Sequence, residues 1–514
     1  MTGIMKKELP AFVLISFVLS SAAFSQRTKT YFSVKDYGAT GDGHTTDSKA
    51  INAAIIAASD AGGGTVYFPA GDYISGSIRL KSNVTLYLAR GSAIIATSDS
   101  PQVNYDQAEE SVNTIFQDYG HSHWHNALIW GDSIQDVSII GAGKIYGRGL
   151  VKDWVKDSRA ADKSISLHEC RNVIIRDLTI VHGGWFAILA TGVDNLTIDD
   201  LKIDTNRDGI DIDCCRNVRV SNCFVNSPHD DALCLKSSYA LGYARSTENV
   251  TVTNCQVSGY DEGTLLDGTY ERVNSEKYGY HPTGRIKFGT ESNGGFKNIT
   301  ITNCVFDYCG GLALESVDGA HLEDVTISDI TMRDIVNDPI FLRLGARMRG
   351  PKGTSIGEIR RIKISDIVVY GADSMHSCTI AGLPGHDIKD VELSNISIYY
   401  KGGGTKEQAG REIPEEEEKY PEPGMFGAAP AYGLFVRHAS NIQVRDVQFK
   451  LLSPDQRPAL VFDDVKGIYM NHVTAERTGD AGMVVFKDVS DLGIYQSPGI
   501  KDQQVKTIKE ETLR

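Results

Sequence analysis

Down most of the chain one pattern returns: a polar residue, usually Asn or Asp, followed by apolar residues at every second position. It reads SNVTLYL from 82, QDVSIIG from 135, RNVIIRDLTI from 171, DNLTIDDLKI from 194 and RNVRVSNCFV from 216. It continues as ENVTVTNCQV from 248, KNITITNCVF from 297, EDVTISDITM from 323, RRIKISDIVV from 360, KDVELSNISI from 389 and SNIQVRDVQF from 440, with a weaker KGIYMNHVTA from 466. Strict alternation is the signature of strands with one buried face. The shortest separations between copies are 22 and 23 residues. A strand-built repeat of that length predicts an all-β fold, a right-handed parallel β-helix in which each coil rises by about 4.8 Å. The pairs Asn222-Cys223, Asn254-Cys255 and Asn303-Cys304 fall at one rung position, which predicts an internal ladder of stacked side chains.

The start differs. An Asp-Gly turn and a Thr/Asp cap precede an Ala/Ile-rich helix from about Asp47 to Ser59, then a glycine-rich turn and the strand TVYFP. A solenoid end exposes apolar core and unpaired strand edges, so this helix is expected to cap it. The glycines at 62–64 are not followed by Gly-Lys-Ser/Thr, and nucleotide binding is not expected.

Ahead of the cap, Lys6 and Lys7, the apolar run Ala11 to Leu19 and the small residues ending Ala23-Phe24-Ser25 have the order of an export leader cut before Gln26. The expected organisation is a leader over 1–25, cap and first coils over 26–100, a β-helix catalytic domain over 101–495 and a charged tail over 496–514. The apolar run is too short for a permanent membrane anchor, and the expected location is periplasmic or extracellular in a bacterium. A net charge of −14 argues against a nucleic-acid partner and requires that an anionic ligand be met by local basic residues. The nine cysteines, an odd number, are expected as buried small hydrophobes, with one disulfide open, Cys304–Cys309 or one involving Cys214 or Cys215. Five Asn-x-Ser/Thr sequons begin at Asn83, Asn195, Asn249, Asn298 and Asn395; four are the rung motif itself, so they are expected to be coincidence.

Carboxylates break the strand pattern at RDGIDIDCCRNVRVSNCFVNSPHDDALCLKSS, residues 207–238. Strands are poor in Asp. Asp208 and Asp230 are 22 apart, about one coil, so with Asp231 they are expected to converge on one exposed face. Such a trio retains a proton at neutral pH, and a retained proton beside ionised neighbours is the two-carboxylate arrangement of glycoside hydrolysis. Asp211 and Asp213 are read instead as turn or structural groups.

The stretches VKDYGATGDG, DSKAI, AGGGTVYFPAGDY, RDGIDID, HDDALCLKSS and FGTESNGGFKNITITNC, in that order, resemble the family-28 glycoside hydrolases, the polygalacturonases and their relatives. The resemblance covers nearly the whole chain from about Tyr31. It implies hydrolysis of α-galacturonosyl bonds in a pectic substrate with inversion and without a metal or other cofactor. It implies Asp230 as general acid and Asp231 with Asp208 as the base that activates water. Lys236 matches the family's KS lysine, and Trp185 in GGWFAI matches an aromatic position that could floor a sugar subsite. There are departures. NRD replaces NTD at Asn206 to Asp208, and SPHDD carries one extra residue. TGRIKFGTE stands where GHG is expected, leaving His281 or His229 to substitute. The RIK of Arg285 and Lys287 falls one coil early, and the later position holds Glu315.

For a sugar carboxylate the basic run FLRLGARMRGPKG offers Arg343, Arg347, Arg349 and Lys352, with Arg285 and Lys287 next. Planar Arg forks suit a carboxylate. The acidic segment REIPEEEEKYPEP, 411–423, is expected as a solvated loop. Two insertions, between the rungs at 248 and 297 and at 389 and 440, are expected to wall the groove and favour exo action. A Ca²⁺-dependent lyase and a non-catalytic carbohydrate-binding β-helix are the alternatives.

Overall fold

The rungs become strands stacked in parallel, one coil upon the next. The computed structural model describes residues 2–3, 30–98, 105–151, 161–273 and 281–514; the leader expected over 1–25 lies almost wholly outside these. Three columns of strands run the length of the molecule, as at Phe186–Thr191, Asp194–Asp199 and Lys202–Asp204, followed one coil later by Asp208–Asp213, Arg216–Ser221 and Phe224–Asn226. Alternate residues such as Val173, Leu196, Val218 and Val250 stack on one another inside the coil and are fully or almost fully buried. The architecture is a right-handed parallel β-helix.

The polar residue that opens each rung has a conformational reason. Asn172, Asn195, Asn217, Asn249 and Asn298 sit at φ 55 to 57, the left-handed region that Asn and Asp tolerate better than other side chains. Their amides form an external ladder: Asn195 donates to Asn172 (2.9 Å), Asn217 to Asn195 (3.1 Å), Asn249 to Asn217 (3.0 Å) and Asn298 to Asn249 (2.7 Å). Three of these are sequon residues whose amide nitrogen is thereby engaged, and Asn395 donates to Asp366. Inside the coil Cys223, Cys255 and Cys304 stack in a column, each thiol donating to the carbonyl two residues back, of Ser221, Thr253 and Thr302. All nine cysteines are free and buried, so neither disulfide forms.

The helix Ser48–Asp60 covers the first coil with Ile51, Ala54, Ile55 and Ala58. Asp47, expected as its side-chain cap, instead accepts from the Thr40 and Gly41 backbone N–H groups at 2.7 and 2.9 Å. At the other end the expected charged tail forms a strand, Gln503–Leu513, which runs antiparallel to Val484–Tyr495. Among the described residues no helix is long and apolar enough to cross a membrane.

Candidate active site

The strand Asp208–Asp213 pairs with Leu233–Ser237 in the register Ile210↔Leu233. The offset is therefore 23, and it sets Asp231, not Asp230, in line with Asp208; Gly209 N–H donates to the Asp231 carbonyl at 3.0 Å. Asp230 lies one residue further back in the turn. A Cβ at Gly209 would come within 2.4 Å of the Ala232 carbonyl oxygen and of Val225 Cγ1, which explains the glycine after Asp208. The three carboxylates converge: Asp208, Asp230 and Asp231 each present an oxygen within 4.8 Å of the others.

Their environments differ. Asp231 Oδ1 accepts from Arg285 Nε at 2.8 Å and its Oδ2 lies 3.5 Å from Lys287 Nζ. Burial would raise this carboxyl, but Lys287, Arg285 and Lys236 outweigh burial and hold it below its ordinary value. Asp230 Oδ2 accepts from Arg207 Nη2 at 2.6 Å, and the Arg207 guanidinium lies over the Trp185 ring at 4.7 Å. Burial nevertheless raises Asp230, with Arg207 opposing it and Asp231 adding to it. Asp208 is raised furthest from its ordinary value, by burial and then by Asp211 and Asp230; its Oδ1 has no hydrogen-bond partner. The cluster therefore contains one carboxylate shifted below its ordinary value and two shifted above it.

Buried pairs surround it. Lys236 Nζ lies 3.3 Å from Glu291 and 3.6 Å from Asp211, and His121 Nε2 lies 3.2 Å from Asp211. Glu291 is held well below its ordinary value because Lys236, His121 and Arg347 outweigh its burial. Glu315 is the opposite case: burial pushes it up to about 8, Lys287 at 3.5 Å opposes this only in part, and neither oxygen has a hydrogen-bond partner. Asp213 accepts from Ser238 N–H at 2.8 Å and Ser238 Oγ–H at 2.6 Å, which is a structural role.

The candidate binding residues separate. Lys236, Arg285 and Lys287 line the carboxylate cluster, and Arg347 reaches its edge through Asp318 and Glu291. Arg343 does not: it is buried, stacks on Phe426 and donates to the carbonyls of Gly382 (3.0 Å) and Glu415 (2.6 Å), anchoring the 401–433 segment. Arg349 pairs with Asp118 at 3.0 Å. Trp185 is buried against Phe186 and beneath Arg207, so it supports Arg207 and does not floor a subsite. His281 and His229 line a cleft of about 750 Å³ beside Arg207, together with His376 and Glu422.

The acidic loop departs from expectation. Glu422 accepts from both terminal nitrogens of Arg285, at 2.9 Å from Nη1 and more closely from Nη2, and Lys287 donates to the Tyr420 hydroxyl at 3.1 Å. Its far end therefore turns inward onto the cluster. Sequence reasoning missed Glu422, Tyr420, Glu291 and His121; a Tyr within a charge run was the available signal for the first two.

Two groups among the described residues could offer three ligand atoms to a metal: the aspartate trio itself, and Glu109, His125 and Asp132. In the second, His125 already spends both ring nitrogens, on Glu109 at 3.3 Å and Asp132 at 3.2 Å.

Three carboxylates thus converge on one face of a parallel β-helix, Asp231 held low by cations and Asp208 and Asp230 raised by burial. The family model described as "Glycosyl hydrolases family 28" matches residues 108–264, and that described as "Rhamnogalacturonase A/epimerase, pectate lyase-like" matches 31–140. A Vitis vinifera protein described as "Probable polygalacturonase" is 25% identical over 403 residues, 71% of this chain and 74% of its own. A mannuronan C5-epimerase of Azotobacter vinelandii is 54% identical over 61 residues, 10% of this chain and 3% of that protein. The exopolygalacturonase of Thermotoga maritima shares the fold at a TM-score of 0.61 and 15% identity, over 95% of this chain and 96% of that one. Over residues 108–264 the chain is similar to the family-28 glycoside hydrolases, and over most of its length to a probable polygalacturonase.

Proposed function

We propose that the protein is an exported, exo-acting hydrolase of α-galacturonosyl linkages in pectic glycans, working by inverting acid/base hydrolysis. The observation that carries this reading is the opposite electrostatics of two neighbours, Asp230 raised and Asp231 lowered. Asp230 is the general acid: burial raises it above its ordinary value, and its side chain is the most exposed of the three. Asp231 is the base. Asp208, raised well above its ordinary value by burial and by Asp211 and Asp230, is assigned to positioning the water and not to the base role that the resemblance gives it. Both oxygens of Asp231 face cations, which disfavours a covalent glycosyl intermediate and supports inversion, although the three carboxylates sit closer than the roughly 6.5–9.5 Å usual for inverting pairs.

The exo mode rests on the walls. The 401–433 segment turns Tyr420 and Glu422 toward Arg285 and Lys287, and Glu422 lines one cleft together with His281 and Pro282. Blocked ends turn a cleft into a pocket for chain termini. Product chromatography on homogalacturonan and rhamnogalacturonan oligosaccharides, with Asp230→Asn alongside, tests the reading. Free saturated galacturonate, absent with the variant, supports it; long oligomers as first products refute exo action.

A Ca²⁺-dependent lyase is the second reading, because the trio could offer three oxygens to a cation. Chelator sensitivity with an unsaturated, ultraviolet-absorbing product would establish it. Ca²⁺ takes six to eight oxygens, whereas here Arg207, Arg285 and Lys287 already face the trio.

A further inference from the structure

Arg285 is the strongest carboxylate fork near the cluster, and it is fully committed. It is buried, and each of its three nitrogens donates to a protein carboxylate: Nε to Asp231, both terminal nitrogens to Glu422. Lys287 beside it is shared among Asp231, Glu315 and the Tyr420 hydroxyl, with its ammonium over the Tyr420 ring at 5.0 Å. The neighbouring cations are committed in the same way, Lys236 to Glu291 and Asp211, and Arg347 to Asp318. A uronate carboxylate arriving at Arg285 would have to displace Glu422 or lie against it, like charge to like.

Resting on the hydrolytic reading above, we propose that Glu422 is a specificity-determining residue: it fills with the protein's own carboxylate the place a uronate carboxylate would take, so the sugar lodged beside Asp231 and Arg285 is neutral. The bond cleaved then joins a galacturonosyl residue to a neutral sugar, a hexose or deoxyhexose, in a mixed glycan and not in a pure polyuronate. Bidentate pairing is what makes the fork selective for a carboxylate, and Glu422 uses that pairing up. The adjoining Tyr420, half exposed, presents an aromatic surface suited to an uncharged ring.

Binding tests this separately from turnover. In an Asp230→Asn background, Kd values for galacturonate and for galactose are measured by calorimetry, with and without Glu422→Gln. Freeing the fork is expected to tighten galacturonate at least about tenfold, the scale of one charge-assisted contact, and to leave galactose within about twofold. Glu422→Ala serves as the second variant, since a Gln amide oxygen can still hold one arm of the fork, and circular dichroism checks that each variant folds. Galacturonate affinity that is unchanged or weaker without Glu422, or absent throughout, overturns the proposal. Failure of the unmodified protein to release sugar from any pectic substrate would instead remove the hydrolytic reading and leave the binding comparison to stand by itself.

Discussion

Arg285 Nε and Asp231 Oδ1 meet at 2.8 Å across neighbouring coils, and this contact sets the division of labour in the groove. It helps hold Asp231 below its ordinary value, while burial raises its sequence neighbour Asp230, which is set against Arg207. Two adjacent aspartates are thereby shifted in opposite directions.

Replacing either by Asn should abolish turnover. For Asp230→Asn and Asp231→Asn we expect kcat to fall by about 10²–10⁴, the range of general acid–base contributions, with KM changed only a few-fold. Steady-state kinetics on whichever pectic oligosaccharide the unmodified protein cleaves decides it; a variant retaining a tenth of the activity would remove that residue from the chemistry. Arg285→Ala is a poorer probe, because it leaves Asp231 buried and unpaired at a cost of about 3–5 kcal/mol.

The pH profile follows from the same pair. Activity needs Asp230 protonated and Asp231 ionised. It should decline on the acid side as Asp231 takes up a proton, and on the alkaline side as Asp230 loses its own. Arg207 lowers Asp230, so Arg207→Gln should move the alkaline limb of kcat/KM to higher pH. An alkaline limb that stays put or moves down would show that another group sets it.

Glu315 makes a prediction about stability. Its native value of about 8 exceeds the ordinary 4.5, so between those values the unfolded chain has released a proton that the native protein keeps. Stability contributed by this group is present below about 4.5, declines as pH rises through that window, and is gone above about 8. Glu315→Gln should flatten this slope and raise Tm at pH 8 by about a few degrees, as read by calorimetry at pH 5 and 8. Equal shifts at both pH values would contradict the assignment.

The thiols can be counted. All nine cysteines are reduced and buried, so a disulfide reagent without reductant should find almost none in the native protein and nine after denaturation. Seven would reveal one disulfide.

The fold could be read from the chain because its two causes are local. Alternation at Val218, Val220 and Val225 fixes which faces turn inward, and the Asn at each corner marks a left-handed residue that few other side chains accept. The aspartates were legible for the same reason, since their spacing approximates one coil. Register was not: the difference between 22 and 23 residues lies in the extra residue of SPHDD, and only pairing shows that Asp231 and not Asp230 follows Asp208. Nor could the sequence show which charges turn inward. Glu422 reaches Arg285 over 137 residues and His121 reaches Asp211 over 90, and nothing in a charged loop distinguishes the residue that faces water from the one that enters the site. Arg343 was misleading in the converse sense, an apparently available guanidinium spent on carbonyls.

The last strand, Gln503–Leu513, lies against the final coil in the opposite direction and carries Lys506, Lys509, Glu510 and Glu511. A parallel solenoid is in principle an open polymer, since each coil templates the next and two molecules could join end to end into a fibre. Reversing the direction of the terminal strand removes the parallel template, and its charges discourage docking by a second chain. The antiparallel strand thus withdraws the parallel template from the coil it covers, as a blunt seal laid over an otherwise repeating edge.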